Sequence, residues 1–245
     1  MSEIIYGIHA VQALIERDPS RLKQVFILKG RKDKRLFPII HKLKKLGIII
    51  QLANRQWMDR QTKNAVHQGI FTHVKFVREY QESDLYIIIS QVQLPFLLIL
   101  DCITDPHNLG ACLRTAEAAG IDVVIVPKNK SAQLNAIAKK VACGAAESMP
   151  LIRVTNIART LRQLQQHHIW IVGAAGDANH TLYESKLIGA IALVIGAEDE
   201  GMRRLTRKHC NELISIPMAG MVSSLNVSVA TGVCLFEAVR QRCAY

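Results

Sequence analysis

The stretch FLLILDCITDPHNLGACLR, residues 96–114, decides the fold. Phe96–Leu100 is an unbroken apolar run of strand length. Runs of that kind belong to strands covered on both faces, as in a parallel sheet. A polar turn follows, Asp105-Pro106-His107-Asn108-Leu109-Gly110, and helical spacing extends over Asn108–Ala119. Strand, polar turn and helix in that order form the repeating unit of an α/β domain. Ligands of such sheets sit at the C-terminal ends of the strands.

Downstream the same alternation repeats. Strands are expected at Val123–Val126, Leu151–Val154, Ile169–Val172, Ile191–Ile195 and Leu213–Ile216. Helices are expected at Leu134–Val141, 156–165, Met202–Lys208 and Leu225–Arg240. The expected fold of residues 96–245 is therefore α/β with a mostly parallel sheet. Upstream, residues 1–77 read as a smaller α/β unit. Ile8–Arg17 and Leu36–Leu46 carry helical apolar stripes; Gln24–Leu28, Ile48–Leu52 and Ile70–Val77 are short strands. Asn54 is placed to cap a third helix running to Gln61. Residues 78–95 read as a linker, although Leu85–Ile89 is apolar enough to pack on something.

The chain has 245 residues, 49% of them hydrophobic, enough for a real core in one or two domains. Its longest strongly apolar run, Leu187–Ala197, is about half of what a membrane-spanning helix needs. Met1–Tyr6 leads into Gly7-Ile8-His9-Ala10 without a basic and apolar leader, so a cytoplasmic, reduced protein with no membrane attachment is expected. The six cysteines contain no CxxC pair, which disfavours a disulfide scaffold. The net charge is +11. Residues 1–95 hold 16 basic and 8 acidic residues, against 15 and 12 in the remainder, so the positive charge gathers at the front. That asymmetry suits a polyanion, of which nucleic acid is the commonest in a cytoplasm. Lys29, Arg31, Lys32, Lys34 and Arg35 form the densest cluster and suit phosphate contacts; the Lys42–Lys45 group reads better as a solvated helix face.

Standard catalytic signatures are missing: no G-x-x-x-x-G-K-[ST], no G-x-G-x-x-G after a strand, no G-x-S-x-G and no His/Cys group at zinc spacing. Gly173-Ala174-Ala175-Gly176 reads as a turn. Three polar or glycine-rich stretches, 105–114, 196–201 and 216–226, each follow an apolar strand and make one composite pocket plausible. Within them, Arg114 fits either a phosphate fork or a surface salt bridge. Asn108 is placed to cap its helix, Glu198 either orients a ligand or caps a helix from Gly201, and one of Ser224 and Asn226 is placed to cap the last helix.

Together these stretches resemble the three signature motifs of the SPOUT superfamily of RNA methyltransferases, in the branch that methylates ribose 2′-hydroxyls. The first resembles Asn108-Leu109-Gly110-Ala111 with Arg114; the second, Leu193–Glu198 with Gly201; the third, Ile216-Pro217-Met218 leading to Ser224-Leu225-Asn226-Val227-Ser228. Tyr6–Val11 and His67-Gln68-Gly69 resemble the accessory RNA-binding domain of ribosomal-protein-like α/β fold, so nearly the whole chain is covered. Within the superfamily the similarity is greatest to bacterial enzymes of 23S rRNA, through Ala132–Pro150 and Ile214–Arg242. Asp199 departs from the pattern, standing where glycine is frequent, and Met221 occupies a position usually small.

The resemblance implies a trefoil-knotted sheet domain, a homodimer, S-adenosyl-L-methionine as cofactor without a metal, and 23S rRNA or a large-subunit precursor as partner. It implies cofactor contacts from main-chain atoms of Gly196, Ile216 and Leu225. Arg114, Glu198, Asn226, Asn108 and Ser224 match the polar set around substrate and cofactor. The implied reaction is 2′-O-methylation of a specific guanosine in 23S rRNA. The alternatives are a tRNA or another rRNA ribose, or a non-catalytic RNA-binding or ribosome-assembly protein on the same fold.

Overall fold

The computed structural model describes residues 2–17, 19–31, 33–75, 80–198 and 200–243. Lys32 of the basic cluster, the end of the strand expected to reach Val77, the domain boundary at 77–78 and the atypical Asp199 lie outside the described residues. The chain forms two compact units. One comprises Met1–Arg78 with Cys143–Ser148, the other Glu79–Ala142 with Met149–Tyr245.

The first unit holds a four-stranded sheet of order β1-β4-β2-β3, from β1 (Ser2–Tyr6), β2 (Leu22–Leu28), β3 (Ile50–Ala53) and β4 (Ile70–Lys75). β4 runs antiparallel to both neighbours, and β2 pairs β3 in parallel. The edge strand β1 was not anticipated, because five residues at the chain start offer too short a pattern to read. Helices α1 (Ile8–Arg17) and α2 (Leu36–Lys45) bury Val11, Leu14, Leu36 and Leu43 against Val25, Ile70 and Val74 of the sheet. A second apolar cluster joins Phe26, Phe71 and Met58, with the two phenyl rings 4.8 Å apart and Trp57 beside them. Met58 and Trp57 belong to α3 (Arg55–Gln61), whose start is fixed by Asn54 accepting the Trp57 N–H at 2.9 Å, as the sequence implies.

The second unit holds a seven-stranded sheet of order β7-β6-β5-β10-β8-β11-β9, in which every recorded pair is parallel. The strands are β5 (Phe96–Asp101), β6 (Val123–Pro127), β7 (Leu151–Val154), β8 (Trp170–Ala174), β9 (His180–Thr181), β10 (Ile191–Gly196) and β11 (Glu212–Ser215). The expected strands are all present; the two-residue β9 was beyond reading. All residues of the central strands β5 and β10 are buried, which explains their unbroken apolar sequences.

Helices α4 (Glu82–Ser90), α5 (Pro106–Ala118), α6 (Ala136–Val141), α8 (Ile157–Gln166), α9 (Arg204–Lys208) and α10 (Val227–Cys243) complete this unit. The stretch expected as a linker, 78–95, therefore contains a helix. Leu85 and Ile89 of α4 are buried in the same core cluster as Leu97, Ile99 and Ile152, so hydrophobic burial recruits the segment into the sheet domain. The remaining helix, α7 (Ala145–Ser148), packs on α1 and so belongs to the first unit, inside a span expected to lie wholly in the sheet domain.

The first turns of α5 sit tightly against α6. A Cβ added at Gly110 would stand 2.4 Å from the Ala138 carbonyl oxygen and 2.8 Å from Val141 Cβ. Gly110→Ala is expected to force the helices apart and cost about 1–3 kcal/mol, an overpacking penalty, read as a lowered midpoint in urea unfolding.

Candidate active site at the C-terminal edge of the parallel sheet

β5 and β10 pair in register from Ile191↔Phe96 to Gly196↔Asp101, so both strands end at one level. From that edge the chain leaves along two paths. After β5 it turns into α5, whose N-cap is Asp105: its carboxylate accepts the His107 N–H at 2.9 Å, and Pro106 occupies the first helical turn. Asn108, expected as the cap, instead lies within that turn. After β10 the chain makes a narrow reversal closed by paired hydrogen bonds between Ala197 and Gly201, of 3.0 and 2.9 Å. Gly196 has no room for a side chain there, since a Cβ would approach Gly201 C and Met202 N to 2.2 Å. Glu198 sits on this reversal and caps no helix, because α9 begins only at Arg204.

The third path leads from β11 to α10. Asn226 precedes α10 and its Oδ1 accepts the Ser228 N–H at 3.0 Å and the Ser228 hydroxyl at 2.6 Å. That assigns the cap to Asn226 rather than Ser224. The Asn226 amide group then faces outward from the helix and donates to Asn108 Oδ1 at 3.1 Å and to Glu198 Oε2 at 3.4 Å. One side chain thus ties together the ends of all three segments singled out in the sequence.

Beside this junction is a cavity of about 360 Å³, within the size range of small-molecule sites. Its walls include Gly196, Glu198, Ile216, Ser224 and Leu225. Asn108, Asn226 and Arg114 are not among its lining residues; Arg114 is exposed on α5. The structure therefore separates a cavity from an adjoining polar rim on which Asn226 joins Asn108 to Glu198. Of Gly173-Ala174-Ala175-Gly176, read from the sequence as a turn, the last three residues line the cavity, as does Asp177 after them. Their position at the C-terminal end of the apolar strand β8 was the available signal. Asp177 was not anticipated: it pairs with Arg207 at 2.8 Å, and that hydrogen bond holds its carboxyl below the usual range.

Most of the lining residues are apolar or glycine, among them Ile195, Ile214 and Val227. The charged lining groups are Asp177, Glu198 and Glu200 against Arg207, so the described lining carries an acidic excess. That excess favours a ligand carrying positive charge. Among the described residues no cluster of His, Cys, Asp and Glu is arranged to hold a metal ion, and no helix is long and apolar enough to cross a membrane.

Residues 95–236 match the SpoU rRNA methylase family, and residues 4–80 match an RNA 2′-O ribose methyltransferase substrate-binding domain. The chain belongs to the SpoU rRNA methylase family. It is accordingly an enzyme, an RNA ribose methyltransferase with the family's substrate-binding domain in front. Among similar SpoU methylases are the 23S rRNA (guanosine-2′-O-)-methyltransferases RlmB of Photorhabdus laumondii and of Escherichia coli K12. Each is 72% identical over 242 residues, covering 99% of this chain and 99% and 100% of the relative. A similar solved structure is the SpoU methyltransferase AviRb of Streptomyces viridochromogenes in complex with AdoMet, at TM-score 0.81 and 21% identity, covering all of this chain and 92% of that one. At that identity the likeness concerns the fold.

Cys112 lies within the first motif, but burial pushes its thiol up to about 11, and Cys210 and Cys234 are raised to about 12 by the same cause. Such thiols stay protonated and unreactive at neutral pH. In the native protein a thiol reagent is expected to label the exposed Cys143 and to leave Cys112 and Cys234 untouched until denaturant is added, which peptide mass mapping reads directly.

Proposed function

We propose that this chain transfers a methyl group from S-adenosyl-L-methionine to the ribose 2′-hydroxyl of a specific guanosine in 23S rRNA. The observation that carries the reading is the Asn108–Asn226–Glu198 junction at the rim of an acid-lined cavity, in a chain 72% identical to enzymes of that activity. When bound, the cofactor supplies an electrophilic methyl on a positively charged sulfur.

The residues divide the remaining work. Main-chain atoms of Gly196, Ile216 and Leu225 hold the cofactor, and the acidic lining favours its positive charge. Asn226 fixes Glu198 and Asn108 relative to each other, so the ribose meets a preset rim. Ser224, on the cavity wall, offers a hydroxyl to the same region. Arg114 grips a phosphate next to the target ribose and polarises the attacking hydroxyl. A guanidinium donates hydrogen bonds and accepts none, so this side chain positions the hydroxyl and stabilises charge, and the hydroxyl proton passes to solvent.

Residues 1–77 supply phosphate contacts and residues 96–245 the chemistry. Arg31, Lys34 and Arg35 are exposed in the first unit, and Asp33 binds both arginines at 3.0 and 2.9 Å. That pairing orders the loop and leaves the cluster net positive, suited to holding rRNA without reading bases. The substrate is 23S rRNA or a large-subunit precursor, met in the cytoplasm by a homodimer.

The test is transfer of labelled methyl to unmodified 23S rRNA, followed by nucleotide mapping. A single ribose-methylated guanosine is expected. Arg114→Ala should lower kcat by about 10²–10³-fold while leaving the fold intact. Light scattering should return twice the chain mass. A folded protein that binds the cofactor yet methylates neither 23S rRNA nor its precursor would overturn the substrate assignment and favour tRNA.

A further inference from the structure

The fully buried carboxylate of Asp101 ends β5, directly opposite Gly196 in the sheet register. It does not reach the cavity or the rim. Its described partners come almost entirely from one residue of the second path. Arg203 donates its backbone N–H to Asp101 Oδ2 at 3.0 Å and its Nε–H to Oδ1 at 2.8 Å, with Nη2 2.6 Å from Oδ1. A buried charge held this way is a rigid anchor, because any departure leaves it unpaired in a poorly solvating interior.

The anchor's location gives it a task. The reversal that carries Glu198 starts at Gly196 and returns through Gly201 and Met202 to Arg203. Its near end is pinned by β10 and its far end by Asp101. Asp101 is also four residues before Asp105, the cap of the helix that carries Asn108 and Arg114. One carboxylate therefore ties the far end of the Glu198 reversal to the end of β5, four residues before the cap of the Asn108 helix.

We propose that Asp101 and Arg203 are positioning residues for methyl transfer, acting through Glu198 by fixing its reversal relative to α5. The inference rests on the reading of Glu198 as part of the active site. An arginine matters here because its Nε and Nη2 both meet Oδ1 while its own backbone N–H meets Oδ2; a lysine would keep the charge and lose the geometry.

The test compares Asp101→Asn, Arg203→Lys, Glu198→Gln and the double variants with Glu198→Gln, at a temperature well below the melting point of each. Arg203 is 43% exposed and Arg203→Lys keeps a positive charge beside the buried carboxylate, so that variant carries the test if Asp101→Asn does not fold. Single-turnover methyl transfer should fall about 10- to 100-fold in each single anchor variant, as expected for a displaced catalytic geometry. On the Glu198→Gln background the anchor substitutions should cost less than about threefold more, since residues acting through a common group are not additive. In the protein without ligand, amide exchange at Ala197 and Gly201 should quicken while that of α5 stays unchanged, a change that general destabilisation would not confine to the reversal. Full additivity, an unaltered exchange pattern, or anchor variants with wild-type turnover would overturn the inference alone. A Glu198→Gln enzyme with full activity would instead remove Glu198 from the site and the inference with it.

Discussion

Side-by-side parallel pairing of β5 and β10 is the constraint from which the rest follows. These strands lie almost a hundred residues apart in sequence, yet they run in register for six residues and bury every side chain. Parallel pairing sends both chains off the same edge. Two separate stretches of sequence thus face one another as soon as the sheet forms. Glycine at 196 lets the second of them fold back sharply, and the charge pair beneath keeps that fold-back from drifting. The third stretch arrives with α10, and its capping residue uses one end of its side chain on the helix and the other on both neighbours. A cap, ordinarily a local device, here closes a tertiary junction.

The division of labour between the two units follows from charge. The leading residues carry most of the net positive charge, whereas the cavity walls are acidic among the described residues. A polyanion and a small cationic ligand would repel each other's sites and favour their own. Substrate discrimination at this coarse level requires no base-reading side chain.

How much of this was legible in the sequence depended on how far each feature acts. The parallel sheet was readable because burial on both faces writes continuous apolar runs such as Phe96–Leu100 and Ile191–Ile195. The α3 cap was readable because Asn54 acts within one turn. Asn108 was misassigned as a cap because Asp105-Pro106 three residues earlier offers a better one, and both sequences look alike in a single-residue reading. Helix α4 was hidden because its burial depends on contacts with Leu97 and Ile152, which no local pattern reports. The three motif segments were visible, but the link of Asn226 to both Asn108 and Glu198 was not, nor was the bond from Asp101 to Arg203 across a hundred residues. Residues 173–176 were read as a turn because glycine and alanine side chains carry no chemical signal of a ligand.

The described walls of the cavity come from residues 174–177, 195–198, 200–202 and 207 and from positions between 214 and 230. The last of these, from residue 216 onward, is synthesised after every strand of the sheet. All seven parallel strands therefore precede, in the order of synthesis, the residues that complete the binding site. A chain without those residues lacks part of the cavity wall. Cofactor capture therefore reports a closed wall, and by mass action it stabilises only that form.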